Sequence, residues 1–592
     1  SVVNSTEHVG WLLSQVERYV SPEVLFHFSR LTHHLLTAPS LQLHQCRLLY
    51  SVVVRRQLLR SMWVVLSSLQ QGAPLPGSIT NSHPAFGVRG TPLLQVLARG
   101  SPLAPYERDT LVPLLATFCA TLTAVLSTLH DAEFLGQSDE AQEVYLQKPT
   151  QNQFPFSVDE LVKMSASLRD VCVGLVELAH PDTRMSAITD TSYTSLWAHC
   201  FKVCVGVVRQ IHLRDTRRMF CPGGHWLSSR VTLPLNNCQT VSFIPRTNRR
   251  QRRLFMPQRL LTRNELETEG PPLSVTDERR GTILREIPFV IPFESRTQVF
   301  SRLVGIDRSI SQMGAEFNER PVINVAIRRS HLYEDAFEKI SPNNEPNLRL
   351  RMKVRLMNAV GLNEVGIDGG GIFREFLSEL LKTAFDPTRG FFLLTLDNTL
   401  YPNLGQNTIE ELIPNGTNIP VNNENRIEYI YRMADYKLNK QIAKQSQAFK
   451  KGVVDVVPLE WLQMFDWREL QMLISGASVP IDLEDLMDNT RYGGIYSTEN
   501  STIQAFWQVL REFSETQKRQ LLKFVTSCSR PPLLGFKELQ PPFCIQPSGS
   551  EDRLPTASTC MNLLKLPEYK NEHTLREKLL YAITSGSGFE LS

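Results

Sequence analysis

The sequence predicts a mixed fold, in which an α-helical N-terminal half is followed by an α+β C-terminal half. Three observations lead to this prediction. Apolar residues recur at helical spacing from about Val9 to Ile211. A proline- and arginine-rich stretch then interrupts the pattern over residues 220–287. After Pro288, strand-like alternation and amphipathic helical segments occur together, which is typical of an α+β domain.

The N-terminal region, residues 1–219, has the pattern of long helices separated by short loops. Segments Cys46–Gln70 and Val158–His180 both place apolar residues on one helical face. This favours a solenoid-like helical repeat, although no sharp sequence period is present. Leu111–Leu129 runs for 19 residues without a charge, close to the length of a membrane span. Because the segment contains Pro113 and several hydroxyl residues and lacks flanking Lys/Arg clusters, we interpret it as a buried helix.

Residues 220–287 are predicted to form a linker. They contain several prolines, the cluster Arg249-Arg250-Gln251-Arg252-Arg253 and the acidic stretch Glu265–Pro272. A cluster of four arginines occurs in nuclear-import signals and in contacts with anionic surfaces, but a charge run is more often a solvated face. We therefore interpret this cluster as an exposed basic turn.

The C-terminal half mixes the two periodicities. Val322–Arg329 and Met561–Leu566 alternate like strands, whereas Ile372–Lys382, Trp461–Ile474 and Ile503–Phe524 have helical spacing. An α+β architecture follows from this mixture.

The glycine run Gly366–Gly371 lies between an extended segment and a helix, the context in which glycine loops cradle phosphate. It lacks the Lys-Ser/Thr pair of a P-loop and the spacing of a dinucleotide fingerprint. We therefore expect a tight structural turn here.

Composition excludes several classes of function. Lys plus Arg number 63 and Asp plus Glu 60, and the net charge of +3 gives no support for a nucleic-acid partner. Ten scattered cysteines indicate reduced thiols in the cytoplasm or nucleus rather than a disulfide framework. The N-terminus carries no secretory signal pattern, and no membrane partner is expected.

The cysteines and the histidine near the end of the helical region are candidate metal ligands. Their spacing fits no compact zinc-ligand pattern, and buried cysteines on an apolar helix face are commoner. We therefore expect neither a metal nor another cofactor. The residues considered are Cys200, Cys204, Cys221, His225 and Cys238.

Cys560 is the residue that the sequence singles out for chemistry. It follows the polar segment 554–559 and precedes an apolar strand, a position where a thiol can be exposed enough to react as its thiolate. From the residues alone, a structural role for Cys560 is favoured over a reactive one. A protease-type pair with His573 is a further alternative, although no oxyanion-hole or orienting-residue pattern accompanies it.

Three motifs resemble the HECT ubiquitin ligases and occur in the order of that family. They are GIDGGGIFREF at residues 366–376, SCSRPPLLGF at 527–536 and LPTASTCMNLLKLPEY at 554–569. The likeness covers roughly Pro288 to Ser592. It resembles a branch of the family that is associated with the proteasome.

The resemblance implies a bilobal HECT domain. An N-lobe over residues 288–496 would dock a ubiquitin-conjugating enzyme, and a C-lobe over residues 497–592 would carry the catalytic cysteine. A flexible hinge would fall near Asn489–Tyr496, where two glycines supply backbone freedom.

The resemblance also implies the residues and partners of the reaction. Cys560 would be the catalytic residue that holds ubiquitin as a glycyl thioester. Thr559, directly before it, and Phe589, fourth from the C-terminus, would support transfer. The partners implied are ubiquitin, a conjugating enzyme and substrate proteins, with the proteasome as a further candidate.

The sequence departs from the family at three places. Ser558 stands where many members have His, and Lys565 stands where many have an acidic residue. After Asn403 a long helical section of the N-lobe is missing, which implies a shortened N-lobe whose apolar faces lack partners. The alternative function is therefore a catalytically impaired variant that acts as an interaction or scaffold protein.

Overall fold

The computed structural model describes residues 6–37, 55–72, 90–129, 131, 134, 154–181, 193–233, 275–313, 322–341, 344, 348–358, 371–396, 398–404, 410–476 and 479–585. Within them the chain forms two compact units, Ser1–Val299 and Phe300–Ser592. The basic cluster 249–253 and the glycines 366–370 lie outside the described residues.

The first unit is helical, which confirms the prediction for the N-terminal half. Its described helices are α1 Thr6–Arg18, α2 Pro22–Thr37, α3 Arg56–Ser68, α4 Leu93–Ala98, α5 Pro105–Thr128, α6 Val158–Ala179, α7 Thr194–Arg218 and α8 Val275–Glu286. Helix α7 packs against α5 and α6, and α2 also packs against α5. A regular solenoid repeat stays a prediction.

Helix α5 lies at the centre of this unit. By length and composition alone it could cross a membrane, but two thirds of its most apolar window are buried inside the unit. Leu111, Leu114 and Phe118 are completely enclosed, because α2 and α7 pack against this helix. The segment is thus a buried helix, as its sequence predicted.

Four cysteines lie in the same core. The Sγ atoms of Cys119 in α5 and Cys204 in α7 are 3.8 Å apart, and Cys172 and Cys200 are also fully buried. Burial raises the pKa of the Cys172 thiol well above its ordinary value. A thiol that stays protonated is a poor nucleophile, so this cysteine fits a structural role.

The predicted linker is folded at both of its ends, which corrects its boundaries. After α7, the Asp215 carboxylate accepts hydrogen bonds from the backbone N–H groups of Phe220 and Cys221 and from Nε1 of Trp226. At the other end, α8 packs against α6, and Arg279 donates to the carbonyl oxygen of His180. These contacts extend the first unit to Val299 rather than ending it at residue 219.

The second unit begins within helix α9, Phe293–Met313. Its next elements are β1 Val322–Arg328, α10 Leu332–Ile340, β2 Arg351–Met357, α11 Gly371–Ala384, β3 Phe392–Leu394, β4 Leu400–Pro402, α12 Arg426–Asp435, α13 Ala443–Val456, α14 Leu459–Leu462 and α15 Trp467–Ser475. Strands β1 and β2 are parallel and are connected through α10. Val325, Val354 and Phe376 form a small core between these strands and α11.

The last part of the chain forms a larger core. Its elements are α16 Leu483–Asp488, β5 Arg491–Tyr492, α17 Ser501–Glu512, α18 Glu515–Thr526, β6 Cys544–Pro547, β7 Thr556–Ser558, β8 Leu563–Leu566 and α19 Glu572–Thr584. The four strands form one sheet in the order β5-β6-β8-β7, in which only β7 is antiparallel to its neighbour. The α+β C-terminal half is confirmed.

The start of this C-terminal core lies earlier than predicted. Ile481, Leu486 and Tyr496 are buried in one cluster with Phe506 and Leu564. We call this C-terminal core the C-lobe; it includes Ile481 and does not start at residue 497. Any joint to the preceding helices must come before Ile481.

The segment predicted as a hinge is consequently part of the C-lobe. Arg491 and Gly493 donate backbone hydrogen bonds to the carbonyl oxygens of Phe543 and Ile545 at 2.8 and 3.0 Å. Gly494 has φ of +65°, and a Cβ there would lie 2.9 Å from Cγ of Pro547. The glycines permit a tight turn against β6, so backbone freedom between lobes is not their role.

One predicted helix, Ile503–Phe524, is divided into α17 and α18. The side chain of Ser514 accepts a hydrogen bond from the backbone N–H of Gln517, and the Gln517 side chain accepts one from the N–H of Ser514. This reciprocal capping box starts a new helix. Helices α17 and α18 thereby cover the same core from two directions.

Candidate active site

Cys560 lies in the short connection between β7 and β8. The two strands pair in antiparallel fashion, with Ser558 opposite Leu563. The connection consists of a 3₁₀ turn, Thr559–Met561, followed by Asn562. Because β8 is hydrogen-bonded on both sides, to β6 and β7, the backbone on either side of the turn is fixed by the sheet.

Asn562 holds the end of this turn, and the sequence motif alone did not single it out. Its backbone is left-handed, with φ of +48°, and the residue is 0% exposed. Nδ2 donates to the carbonyl oxygen of Pro541 at 2.6 Å, and its own carbonyl oxygen accepts from the N–H of Cys544 at 2.9 Å. Asn tolerates left-handed geometry better than most residues, which suits it to this position.

Two helices lie against the turn that carries Cys560. One is α18, whose C-terminal end is closed by Thr526, because its Oγ1 donates to the carbonyl oxygen of Leu522 at 2.7 Å. The other is α11, the helix that begins at Gly371, the fourth glycine of the GIDGGGIFREF motif. The GIDGGGIFREF motif thus reaches the turn that the LPTASTCMNLLKLPEY motif forms, and α18 ends directly before the SCSRPPLLGF motif.

Arg530, in the SCSRPPLLGF motif, contacts a different part of the chain. Its Nη1 donates to the carbonyl oxygen of Gly476 at 3.3 Å, which ties the SCSRPPLLGF motif to the segment just before the C-lobe core. It does not donate a hydrogen bond to the turn in the part of the chain that the structure describes. The part of this region that packs against the turn is therefore α18, which ends at Thr526 directly before the motif.

The structure brings Thr559 and Cys560 together in the 3₁₀ turn, whereas Phe589 lies outside the described residues. His573, the alternative partner for a Cys-His pair, sits in the first turn of α19 with a largely exposed side chain. Its Nδ1 lies 3.6 Å from the Glu577 carboxylate on the same helix. This contact of the His573 ring is thus local to α19.

The other two cysteines of the C-lobe differ in exposure. Cys528 is exposed, and its Sγ lies 3.5 Å from the carbonyl oxygen of Arg530. Cys544 is half-buried at the start of β6, and burial raises the pKa of its thiol. Cys528 is therefore the natural control thiol for tests of Cys560.

Among the described residues, no group of three or more His, Cys, Asp or Glu side chains is placed to hold a metal ion. The backbone of the Cys560 turn is instead fixed by strand pairing and by Asn562. The reactive group that this site can supply is the thiol of Cys560, on a turn with a fixed backbone.

A family model described as HECT-domain (ubiquitin-transferase) matches residues 371–592. Relatives with this likeness include E3 ubiquitin-protein ligase UPL6 of Arabidopsis thaliana, 35% identical over 53% of this chain and 39% of its own length. Ubiquitin-protein ligase E3B of Homo sapiens is 29% identical over 82% of this chain and 51% of its own. E3 ubiquitin-protein ligase HUL5 of Saccharomyces cerevisiae is 35% identical over 55% and 48%. The chain spans about half or less of these relatives' length.

The matches to these relatives extend over more positions than the number of residues of this chain that they include. The match to UPL6 runs over 408 residues, whereas 53% of 592 residues is about 314. About ninety positions of that match therefore have no residue from this chain. The match to HUL5 also includes positions with no residue from this chain, since it runs over 445 residues but covers only 55% of the chain.

Proposed function

We propose that this protein is an E3 ubiquitin transferase in which Cys560 carries ubiquitin as a thioester, because residues 371–592 match the HECT-domain (ubiquitin-transferase) family model. The Cys560 thiolate attacks the thioester carbonyl of a charged conjugating enzyme and expels that enzyme's cysteine thiolate. A substrate lysine amine then attacks the new thioester, forms an isopeptide bond and releases Cys560. Thiolates suit both steps because they are good nucleophiles and good leaving groups.

The observation that carries this proposal is the position of Cys560 in the turn between β7 and β8. A cysteine that must accept a large acyl group and then release it needs a fixed backbone and access from outside. Strand pairing and Asn562 provide the fixed backbone. The next residue, Met561, is half exposed, so the turn reaches the surface of the lobe.

The partners proposed are ubiquitin, a ubiquitin-conjugating enzyme and substrate proteins, and the proteasome is a further candidate. We place the protein in the cytoplasm or nucleus. Thr559 and Phe589 are proposed to support transfer at Cys560. Since C-lobe packing starts at Ile481, the joint that lets the lobes rearrange is proposed to lie before that residue.

A second candidate function is an impaired HECT variant that serves as an interaction protein. Two observations favour it. Helices α12 and α13 contain no buried residue, although their sequences are amphipathic. About ninety positions of the UPL6 match also have no residue from this chain. Both are expected if part of the N-lobe that receives the conjugating enzyme is missing.

A charging assay separates the two functions. The purified chain is incubated with activating enzyme, conjugating enzymes, ATP and ubiquitin, and the products are run with and without a thiol reductant. A transferase gives a reductant-sensitive ubiquitin adduct and ubiquitinated lysines. Cys560→Ala should abolish both products, and Cys560→Ser should leave a reductant-resistant oxyester.

Cys528→Ala is the matched control, since it removes an exposed thiol from the same lobe and should charge normally. Lysine ubiquitination by the Cys560→Ala variant would refute the catalytic assignment. Failure of the unmodified chain to charge, under conditions in which a complete relative charges, would favour the interaction protein.

A further inference from the structure

The helix α12 and the turn after it present an exposed apolar surface. Ile427, Ile430 and Tyr431 of α12 are 76%, 63% and 72% exposed. Leu438, in the π-helical turn Tyr436–Lys440 that follows, is 79% exposed. We call these four residues the α12 face.

The spacing of the apolar residues in the α12 face is typical of a helix side that packs against the core of a protein. Ile427, Ile430 and Tyr431 are spaced i, i+3 and i+4, so they form one stripe along the helix. Glu428 and Arg432 form an ion pair, at 2.8 Å, away from that stripe. In a soluble protein such an apolar stripe usually faces the core, yet α12 contributes no buried residue.

The surface is large enough to hold a partner. A large apolar residue has roughly 200 Å² of accessible surface, so the α12 face exposes roughly 600 Å². That lies at the upper end of the about 300–600 Å² found for the largest apolar patch of a typical monomer. Two such faces packed together would cover roughly 1,200 Å², the lower limit for a specific interface.

We propose that the α12 face is a self-association surface, covered by the same face of a second copy of this chain. About ninety positions of the UPL6 match have no residue from this chain, and in the part of the chain that the structure describes α12 has no buried residue. A two-fold axis through the middle of α12 sets the stripe of one copy against the stripe of the other. Such an isologous contact is closed, and therefore gives a dimer.

The test is the oligomeric state of the purified full chain, measured by sedimentation velocity over about a hundredfold range of concentration. The wild type should shift from monomer to dimer. The double variant Ile427→Glu/Ile430→Glu should stay monomeric over the same range, because it sets buried carboxylates against each other across the axis. Both positions are exposed, so far-UV circular dichroism should show an unchanged fold.

Ile495→Glu is the matched control. It makes the same chemical change at a residue that is 65% exposed and belongs to the C-lobe, and it should dimerise like the wild type. Hydrogen exchange localises the contact, since protection of residues 426–440 should rise with protein concentration.

Three results would overturn the proposal. They are a wild type that is monomeric at every concentration, a dimer that the double variant leaves unchanged, and an open-ended assembly in place of a dimer. A monomeric wild type that co-purifies with a holdase chaperone would assign the α12 face to that chaperone instead.

Discussion

Asn562→Ala should loosen the turn that carries Cys560 without touching the thiol. In the structure, Nδ2 of Asn562 donates to the carbonyl oxygen of Pro541 at 2.6 Å. Loss of a partly buried hydrogen bond that leaves an acceptor unsatisfied costs about 1–2 kcal/mol. The left-handed backbone, with φ of +48°, adds about 1 kcal/mol for alanine.

The sum, about 2–3 kcal/mol, is a loss in the free energy of opening this turn, and it need not change the stability of the whole lobe. The measurement should therefore report on the turn itself. The N–H of Cys544 donates to the carbonyl oxygen of Asn562, and its hydrogen exchange reports opening of the turn. At about 1.4 kcal/mol for each tenfold change, Asn562→Ala should speed that exchange roughly 30- to 150-fold. The rate of ubiquitin loading on Cys560 should fall, because the turn is ordered for a smaller fraction of the time.

Asn562→Gly separates the two contributions. Glycine also loses the hydrogen bond to Pro541 but adopts the left-handed backbone without strain, so exchange at Cys544 should speed by only about 5- to 30-fold. Equal exchange in the alanine and glycine variants would show that backbone conformation is irrelevant here. Exchange as slow as in the wild type in both variants would refute the role of Asn562 altogether.

Three further predictions follow from other parts of the structure. Gly494→Ala should lower the unfolding free energy of the C-lobe by about 1–3 kcal/mol, measured by urea denaturation. The reason is that Gly494 has φ of +65° and that the new Cβ would collide with Pro547. If the segment were a flexible hinge, alanine would cause no loss of stability. Asp215→Ala removes the acceptor of three hydrogen bonds and should destabilise the helical unit by about 2–4 kcal/mol in thermal unfolding. Burial lowers the pKa of His33 to about 4, and His199 and His34 nearby add to this shift. Below about pH 6.5, the ordinary pKa of histidine, the unfolded chain therefore binds a proton more readily than the folded chain does. The stability of the helical unit should be highest above that pH and should decline as the pH falls toward 4. His33→Gln should flatten that decline, and an unchanged pH profile would contradict the assignment.

The sequence predicted the order of helical and mixed halves because each rests on local periodicity. It also placed Cys560 between a polar segment and an apolar strand, where the structure has the turn between β7 and β8. The break between α17 and α18 was missed, although Ser514 and Gln517 show the spacing of a capping box. That signal was present in the sequence and could have been used.

The start of the C-lobe could not be predicted in the same way. Gly493 and Gly494 look like a flexible break when only neighbouring residues are considered. Their conformation is set by β6, about fifty residues later in the chain, through the hydrogen bond from Gly493 to Ile545. Pairing over such a distance leaves no trace in local periodicity. The role of Asn562 was missed for the same reason, since its partner is Pro541.

The early start of the C-lobe core has a practical meaning for protease digestion. A cut between Gly476 and Ile481 would fall before the first buried residue of the core and should release an intact lobe that resists further cleavage. A cut at Gly493-Gly494 would instead remove α16 and β5, expose one edge of β6 and take away Tyr492, whose hydroxyl accepts from Nε1 of Trp507. The fragment that survives digestion should therefore start before Ile481, and the lobe left by a cut at the glycines should be degraded.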